Sequence, residues 1–219
     1  MLNKTNLSVD LSVLEETNTF DFNQMKTSIN QPTGNFFYEP WIIKEEYKNS
    51  IWERLLQPLG ENIGEARIIV LDNGKCYLRH ADIDDRYHLS IKGEYSYLID
   101  LKDQSMYETK VDGYWYEMNA GIPHTAINAG GYNRIQLVVR RLLNENNISQ
   151  PVFVKLIGSN FDSRYVFDAI YSPWLNKANK LGTISNFSYD EKQVNFIVEK
   201  SCLKDLEKMK PDDFEMEIS

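Results

Sequence analysis

Between residues 66 and 143 the sequence breaks into short runs, ARIIVL, KCYLRH, YHLSIK, YSYLIDL, SMYETKV, YWYEMN, TAIN and RIQLVVRRLL, each rich in β-branched and aromatic residues. DNG, KGE, KDQ, DG and AGGYN separate them. Runs of this length, punctuated by turn residues, read as strands. The DNG turn suits a tight hairpin, because Asn and Gly tolerate the left-handed backbone such turns require. Short strands that return on one another this regularly form a β-sandwich or barrel.

The flanks read differently. Residues 1–40 are polar and weakly patterned, with SINQPTGN as a loop. In WIIKEEYKNSIWERLLQPLG, Ile43, Tyr47, Ile51 and Leu55 recur every four residues beside Trp52 and Leu56. That spacing predicts one amphipathic helix, ended by Pro58 and Gly60 and packed on a sheet. Beyond residue 150, VFVKLIG reads as a strand and SRYVFDAIYSPWLNKANKLG as mostly helix, interrupted at Pro173. TISNFSY and QVNFIVE read as paired strands, SCLKDLEKM as a short helix and DFEMEI as a last strand. The order β-α-β-β-α-β is that of a ferredoxin-like split βαβ unit; helices packed on the barrel would read similarly. The expectation is a mainly β chain, α+β overall, with residues 1–150 as the candidate catalytic domain and 151–219 as a small α+β C-terminal domain, a structural or dimerising appendage through which a homodimer could form.

The chain's 219 residues are 42% hydrophobic, enough for a sizeable core. Its formal charge of −8 repels a phosphate backbone, so nucleic-acid binding is not expected. The C-terminal segment carries nine Lys and Arg against eleven Asp and Glu and lacks the aromatic-basic signature of an RNA-binding sheet. Cys76 and Cys202 form no CxxC pair and read as ordinary reduced cysteines. The polar N-terminus does not resemble a signal peptide, and no run approaches the roughly 20 apolar residues that span a bilayer. These features point to a soluble, cytoplasmic protein.

The chain has three histidines, His80, His88 and His124. Residues two apart on a strand point to one side, so His80 and Asp82 in KCYLRHAD can present an imidazole and a carboxylate to one point. His124 follows GIP, a turn that opens a strand toward the same interior. Two imidazoles and a carboxylate on one face form a facial triad that leaves coordination positions open and suits non-haem Fe(II); zinc can use the same donors. Ten residues on, Arg134, Gln136, Val138 and Arg140 share one face of RIQLVVRR and Ile135, Leu137 and Val139 the other. An inward arginine is costly unless an anion meets it, and a guanidinium accommodates a carboxylate bidentately. Arg140, on the same face, is the candidate contact for an anionic substrate. Asp84 and Asp85 read as a solvated acidic turn. Tyr95, Tyr97, Tyr114, Trp115 and Tyr116 read as core or sheet surface, with one or two as candidate pocket walls.

The set His80-Ala81-Asp82, His124 and Arg134 resembles the Fe(II)/2-oxoglutarate-dependent oxygenases, and within them the aspartyl/asparaginyl β-hydroxylase and proline hydroxylase group, whose Arg-x-His is matched by Arg86-Tyr87-His88. The matched span is about residues 64–141. The resemblance implies a double-stranded β-helix, a jelly-roll or cupin-like core. It implies Fe(II) held by His80, Asp82 and His124, and 2-oxoglutarate bound by Arg134, His88 and Arg86. With O2 as co-reactant, it implies hydroxylation of an amino acid or a peptidyl residue, with release of succinate and CO2. A cupin-like metalloenzyme that does not use 2-oxoglutarate and a binding protein on a degenerate barrel are the alternatives. The substrate is not legible in the sequence.

Overall fold

A computed structural model describes residues 1–22, 26–143, 148–158, 172–180, 183–189, 192–210, 212 and 214–219. The chain is mainly β, in several antiparallel sheets with few helices. Strands β1 (Leu2–Ser8), β2 (Lys26–Ser28), β5 (Ala66–Leu71), β6 (Arg86–Lys92), β9 (Tyr114–Met118) and β11 (Arg134–Arg140) form a six-stranded sheet in the order β1-β9-β6-β11-β5-β2. Strands β7 (Ser96–Asp100), β8 (Ser105–Glu108) and β10 (His124–Asn128) form a second sheet, ordered β10-β7-β8. A two-stranded ribbon joins β3 (Asn30–Pro32) to β4 (Trp41–Ile43). The buried Asn30 side chain ties this ribbon to β5: its Nδ2 donates to the Gly64 carbonyl (2.9 Å), and its Oδ1 accepts from Ala66 N (2.7 Å).

Alternation along the six-stranded sheet separates its two faces. Ala66, Ile68 and Val70, Leu89 and Ile91, and Ile135, Leu137 and Val139 form one apolar cluster with Leu14 of α1 (Leu11–Glu16) and with Ile51, Trp52, Leu55 and Leu56 of α2 (Ile51–Leu56). Phe20 and Phe22 meet the Trp52 ring edge-on, with centroids at 5.3 and 6.1 Å. The opposite face carries Arg67, Ile69, Arg86, His88, Arg134, Gln136 and Val138 and, with Leu98 and Ala126 of the smaller sheet, lines a cavity.

Three sequence expectations are corrected. Residues 41–60 are not one helix. Trp41–Ile43 is β4, and Asn49 takes a left-handed φ of 55° that breaks the helical path. The α-helix begins only after Ser50, whose side chain caps it by accepting from Trp52 N. It does end as expected, with a 3-10 turn through Pro58 and Gly60 at φ 73°. Residues 1–40 are not unpatterned: β1 pairs with β9 at the sheet edge, and SINQPTGN supplies part of the paired strands β2 and β3. KCYLRHAD is not a regular strand. It follows β10 through single bridges, Cys76 to Ile127 and His80 to His124, and the pairing slips by one residue between them. Such a slip is a bulge, which re-aims the side chains that follow it.

Toward the C-terminus, β13 (Ile184–Tyr189), β14 (Gln193–Glu199), β12 (Pro151–Gly158) and β15 (Phe214–Ile218) form an antiparallel sheet in that order. Helix α3 (Ser172–Lys180) lies in the β12–β13 connection and α4 (Leu203–Met209) between β14 and β15. The helix expected over 163–182 is seen as α3; residues 163–171 lie outside the described residues. This segment shares its core with the rest of the chain: Phe37, Ile83 and Leu143 belong to the same apolar cluster as Leu175, Phe187 and Phe196. Among the described residues, no helix is long and apolar enough to cross a membrane.

Candidate metal centre

His80, Asp82 and His124 each offer a donor atom, and the three atoms lie within 4.8 Å of one another. Two backbone bonds hold the histidines in place, His80 N to His124 O (3.0 Å) and His124 N to His80 O (2.8 Å). A third, Asp82 N to Ala120 O (2.8 Å), fixes the carboxylate's stretch of chain. Each imidazole directs Nδ1 at the carbonyl two residues behind it: His80 at Leu78 O (2.8 Å) and His124 at Ile122 O (2.7 Å). A carbonyl can only accept, so both Nδ1 atoms carry the proton and both Nε2 lone pairs are left free. That tautomer is the one a metal requires of an imidazole whose outer nitrogen is pinned. Burial, together with the charge of His80, holds the His124 pKa down to about 4, so the imidazole is neutral at physiological pH. Burial by itself would raise the Asp82 pKa, but the Arg86 guanidinium beside it leads the charges that outweigh burial and keep the carboxylate ionised. Two imidazoles and one carboxylate, already converged, fit a divalent metal ion.

Arg86 meets this carboxylate directly: its Nη2 lies 2.9 Å from Asp82 Oδ1 and 2.8 Å from Asp84 Oδ1. Asp84 also receives Nε and Nη2 of Arg140. The expectation of a solvated acidic turn is therefore corrected. Asp84 is buried between two guanidiniums, and Asp85 pairs with Lys180 of α3 at 2.6 Å. Arg140, expected to contact an anionic substrate, is corrected too. It is held by Asp84 and lies over the rings of Phe36 and Phe37 at 4.4 and 4.9 Å, outside the cavity lining. Two strong ion-pair partners engage Arg86, although its Nε and Nη1 have no partner and it does line the cavity.

The cavity measures about 80 Å³. His80, Asp82 and His124 line it with Arg134, Gln136, His88, Tyr77, Arg67 and the apolar Ile69, Leu98, Met118, Ala126 and Val138. Arg134 is 3% exposed, and its Nη2 donates to Gln136 Oε1 while its Nε has no partner. Among the described residues no carboxylate forms an ion pair with it, and burial lowers its pKa to about 10. His88 directs Nδ1 at the same Gln136 Oε1 (3.2 Å), and its Nε2 has no partner. Because that oxygen only accepts, His88 presents an unprotonated Nε2 to the cavity. Burial, with Arg134 nearby, lowers its pKa to about 3. The structure thus brings together six of the seven expected site residues and leaves Arg140 apart.

Sequence reasoning missed Arg67 and Tyr77. None of the five aromatic residues considered as pocket walls lines the cavity; Trp115 is wholly buried in the helix-facing core. A lone arginine in the otherwise apolar ARIIVL was the available signal for Arg67. Tyr77 had none, because strict alternation sets it opposite His80 and only the bulge brings both to one side.

No protein-family model matches this chain, and no curated protein does. Among solved structures, a Pseudomonas putida prolyl-4-hydroxylase is similar at 13% identity and a TM-score of 0.39, over 65% of this chain and 93% of that one. CapF, crystallised with the inhibitor 3-isopropenyl-tropolone, is similar at 11% identity and a TM-score of 0.32, over 52% of this chain and 31% of that one. Likeness at this level carries no argument about activity, so the functional reading rests on the residues themselves.

Proposed function

We propose that this chain is an Fe(II)- and 2-oxoglutarate-dependent dioxygenase on a double-stranded β-helix core, hydroxylating an amino acid or a peptidyl residue with release of succinate and CO2. One observation carries the reading: a buried guanidinium without a carboxylate partner among the described residues shares a small cavity with three converged candidate metal donors. A buried cation of this kind is costly unless a ligand supplies the anion. A short dicarboxylate that reaches from the metal donors to Arg134 supplies it. By the ~10–15 Å³ that each water centre needs, the cavity holds roughly six waters, the scale of such an acid.

Ferrous iron, held by His80, Asp82 and His124, would supply the redox chemistry with dioxygen that couples decarboxylation of the oxoacid to hydroxylation. The chain's own residues prepare the ground. Leu78 and Ile122 carbonyls hold the imidazoles in their donor tautomer. Arg86 steadies Asp82 through one oxygen and leaves the other free. Arg134 receives the far carboxylate, oriented by Gln136, which Ser90 Oγ anchors in turn at 3.1 Å. Ile69, Leu98, Met118 and Val138 keep the walls dry. His88, as hydrogen-bonded here, offers an acceptor; for it to donate to a carboxylate, its proton must move from Nδ1 to Nε2.

An anaerobic titration of metal-free protein with Fe(II) and 2-oxoglutarate tests the reading through the visible metal-to-ligand charge-transfer band. The band should form in wild type, vanish in His124→Ala and require far more 2-oxoglutarate in Arg134→Ala. Bound metal without a band would move the assignment to a cupin-like metalloenzyme.

A further inference from the structure

The cavity holds a second guanidinium that the reading above does not use. Arg67 of β5 lines it, with Nε buried and unpartnered. Its nearest carboxylate oxygen is Glu65 Oε2 at 3.6 Å. Glu65 is already engaged, receiving the Ser28 hydroxyl on its other oxygen at 2.5 Å and standing 3.9 Å from Arg140. Arg67 thus has one long ion pair, shared with Arg140, and its side chain is 15% exposed. It is more weakly compensated than a close pair would make it and less enclosed than Arg134.

The two arginines sit at opposite ends of the cavity. Across the β5–β11 ladder Arg134 faces Leu71, whereas Arg67 faces Val138. They are four rungs apart, about 13 Å at strand spacing. Val138 also faces His88, and two residues further along β11 Arg140 pairs with Arg86, the residue that clamps Asp82. Arg86 and Asp82, at the metal-donor end, are among the charges that act on Arg67. Arg67 thus stands at the metal-donor end and Arg134 at the far end. Between them, the Tyr77 hydroxyl is buried without a partner and feels both guanidiniums. An acid that runs from the metal donors to Arg134 leaves Arg67, with its one long ion pair, open to a second carboxylate.

We propose that Arg67 binds a carboxylate of the substrate itself, so that the molecule hydroxylated is an acid whose carboxylate enters the cavity beside the metal donors. This rests on the dioxygenase reading for the role of the bound acid as substrate. The carboxylate can come from a free amino acid or from an acidic side chain of a polypeptide, and the test separates them.

Protein loaded with Fe(II) and 2-oxoglutarate under anaerobic conditions is titrated calorimetrically with the common free amino acids, with their amides, and with N-acetylated, C-amidated Asp and Glu. At least one acid should bind wild type about tenfold or more tightly than its uncharged counterpart, as expected for a buried charge pair. Arg67→Met should abolish that preference and Arg67→Lys restore part of it. Unchanged 2-oxoglutarate binding in both variants would show that the site is intact. Preference among free acids alone assigns a small-molecule substrate; preference only for blocked Asp or Glu assigns a polypeptide. Equal binding of acids and amides, a preference that survives Arg67→Met, or no binding by any probe would overturn the proposal. If 2-oxoglutarate fails to bind while an Arg67-dependent acid still binds with metal alone, the dioxygenase reading fails and the acid site stands.

Discussion

His80 and His124 exchange both of their backbone hydrogen bonds, at 3.0 and 2.8 Å, and their rings lie with centroids 4.3 Å apart. The pairing joins two stretches 44 residues apart in sequence and sets their side chains on one side of the sheet. Removing either imidazole takes away a candidate metal donor and leaves the backbone groups of this pair in place. Metal affinity in His124→Ala should fall by more than the ~10–100-fold that outer contacts alone are worth. Competitive Mn(II) titration, with folding checked by circular dichroism, measures it; affinity within a few-fold of wild type would exclude His124 as a ligand.

Arg134 offers a contrast between stability and binding. Its charge is buried without a carboxylate partner among the described residues, so Arg134→Met should leave the ligand-free protein at least as resistant to heat as wild type. On the proposed function 2-oxoglutarate should raise the Tm of metal-loaded wild type, and the same substitution should erase that rise. Thermal unfolding with and without the acid decides the matter, and a variant that melts well below wild type without ligand would make Arg134 a structural residue.

Asp84 is where two guanidiniums are neutralised. Arg86 and Arg140 both depend on it, and it is nearly inaccessible to solvent. Asp84→Asn leaves two buried cations under-compensated and should cost about 3–5 kcal/mol in urea unfolding. It should also loosen the Arg86 hold on Asp82, lowering metal affinity by roughly tenfold.

His88 makes stability depend on pH. Burial, with Arg134, lowers its folded pKa to about 3 from an unfolded value near 6.5. Above 6.5 neither state takes up the proton. Between 6.5 and 3 only the unfolded state does, so stability is complete at neutral pH and is lost as pH falls. From pH 7 to 5 this one group should remove about 2 kcal/mol. Urea unfolding of wild type and His88→Gln at the two pH values measures it, and the variant's loss should be smaller by about that amount.

Much of the fold and site could be read from local pattern. The inward face of β11 was legible because a strand's period of two sorts Arg134 and Gln136 from Ile135, Leu137 and Val139 whatever surrounds them. His80 and Asp82 were legible by residue type and spacing, although an irregular segment and not the expected strand brings them together. The helix at 41–60 was misread because the four-residue spacing persists through Asn49, whose left-handed backbone divides a ribbon strand from a six-residue helix.

The sequence by itself determined the β character of most of residues 66–140, the separation of faces on β11, and three candidate metal donors with Arg134 in reach of one interior. All of these follow from periodicity and side-chain chemistry, which act locally. Only the tertiary structure decided the rest. It turned Tyr77 inward through a one-residue slip against β10, held Arg140 on Asp84 and left Arg67 facing a cavity with its nearest carboxylate engaged elsewhere. It also packed Ile83, one residue beyond Asp82, into the core of the C-terminal sheet. Such outcomes depend on which distant charges and surfaces meet, and only long-range packing sets that.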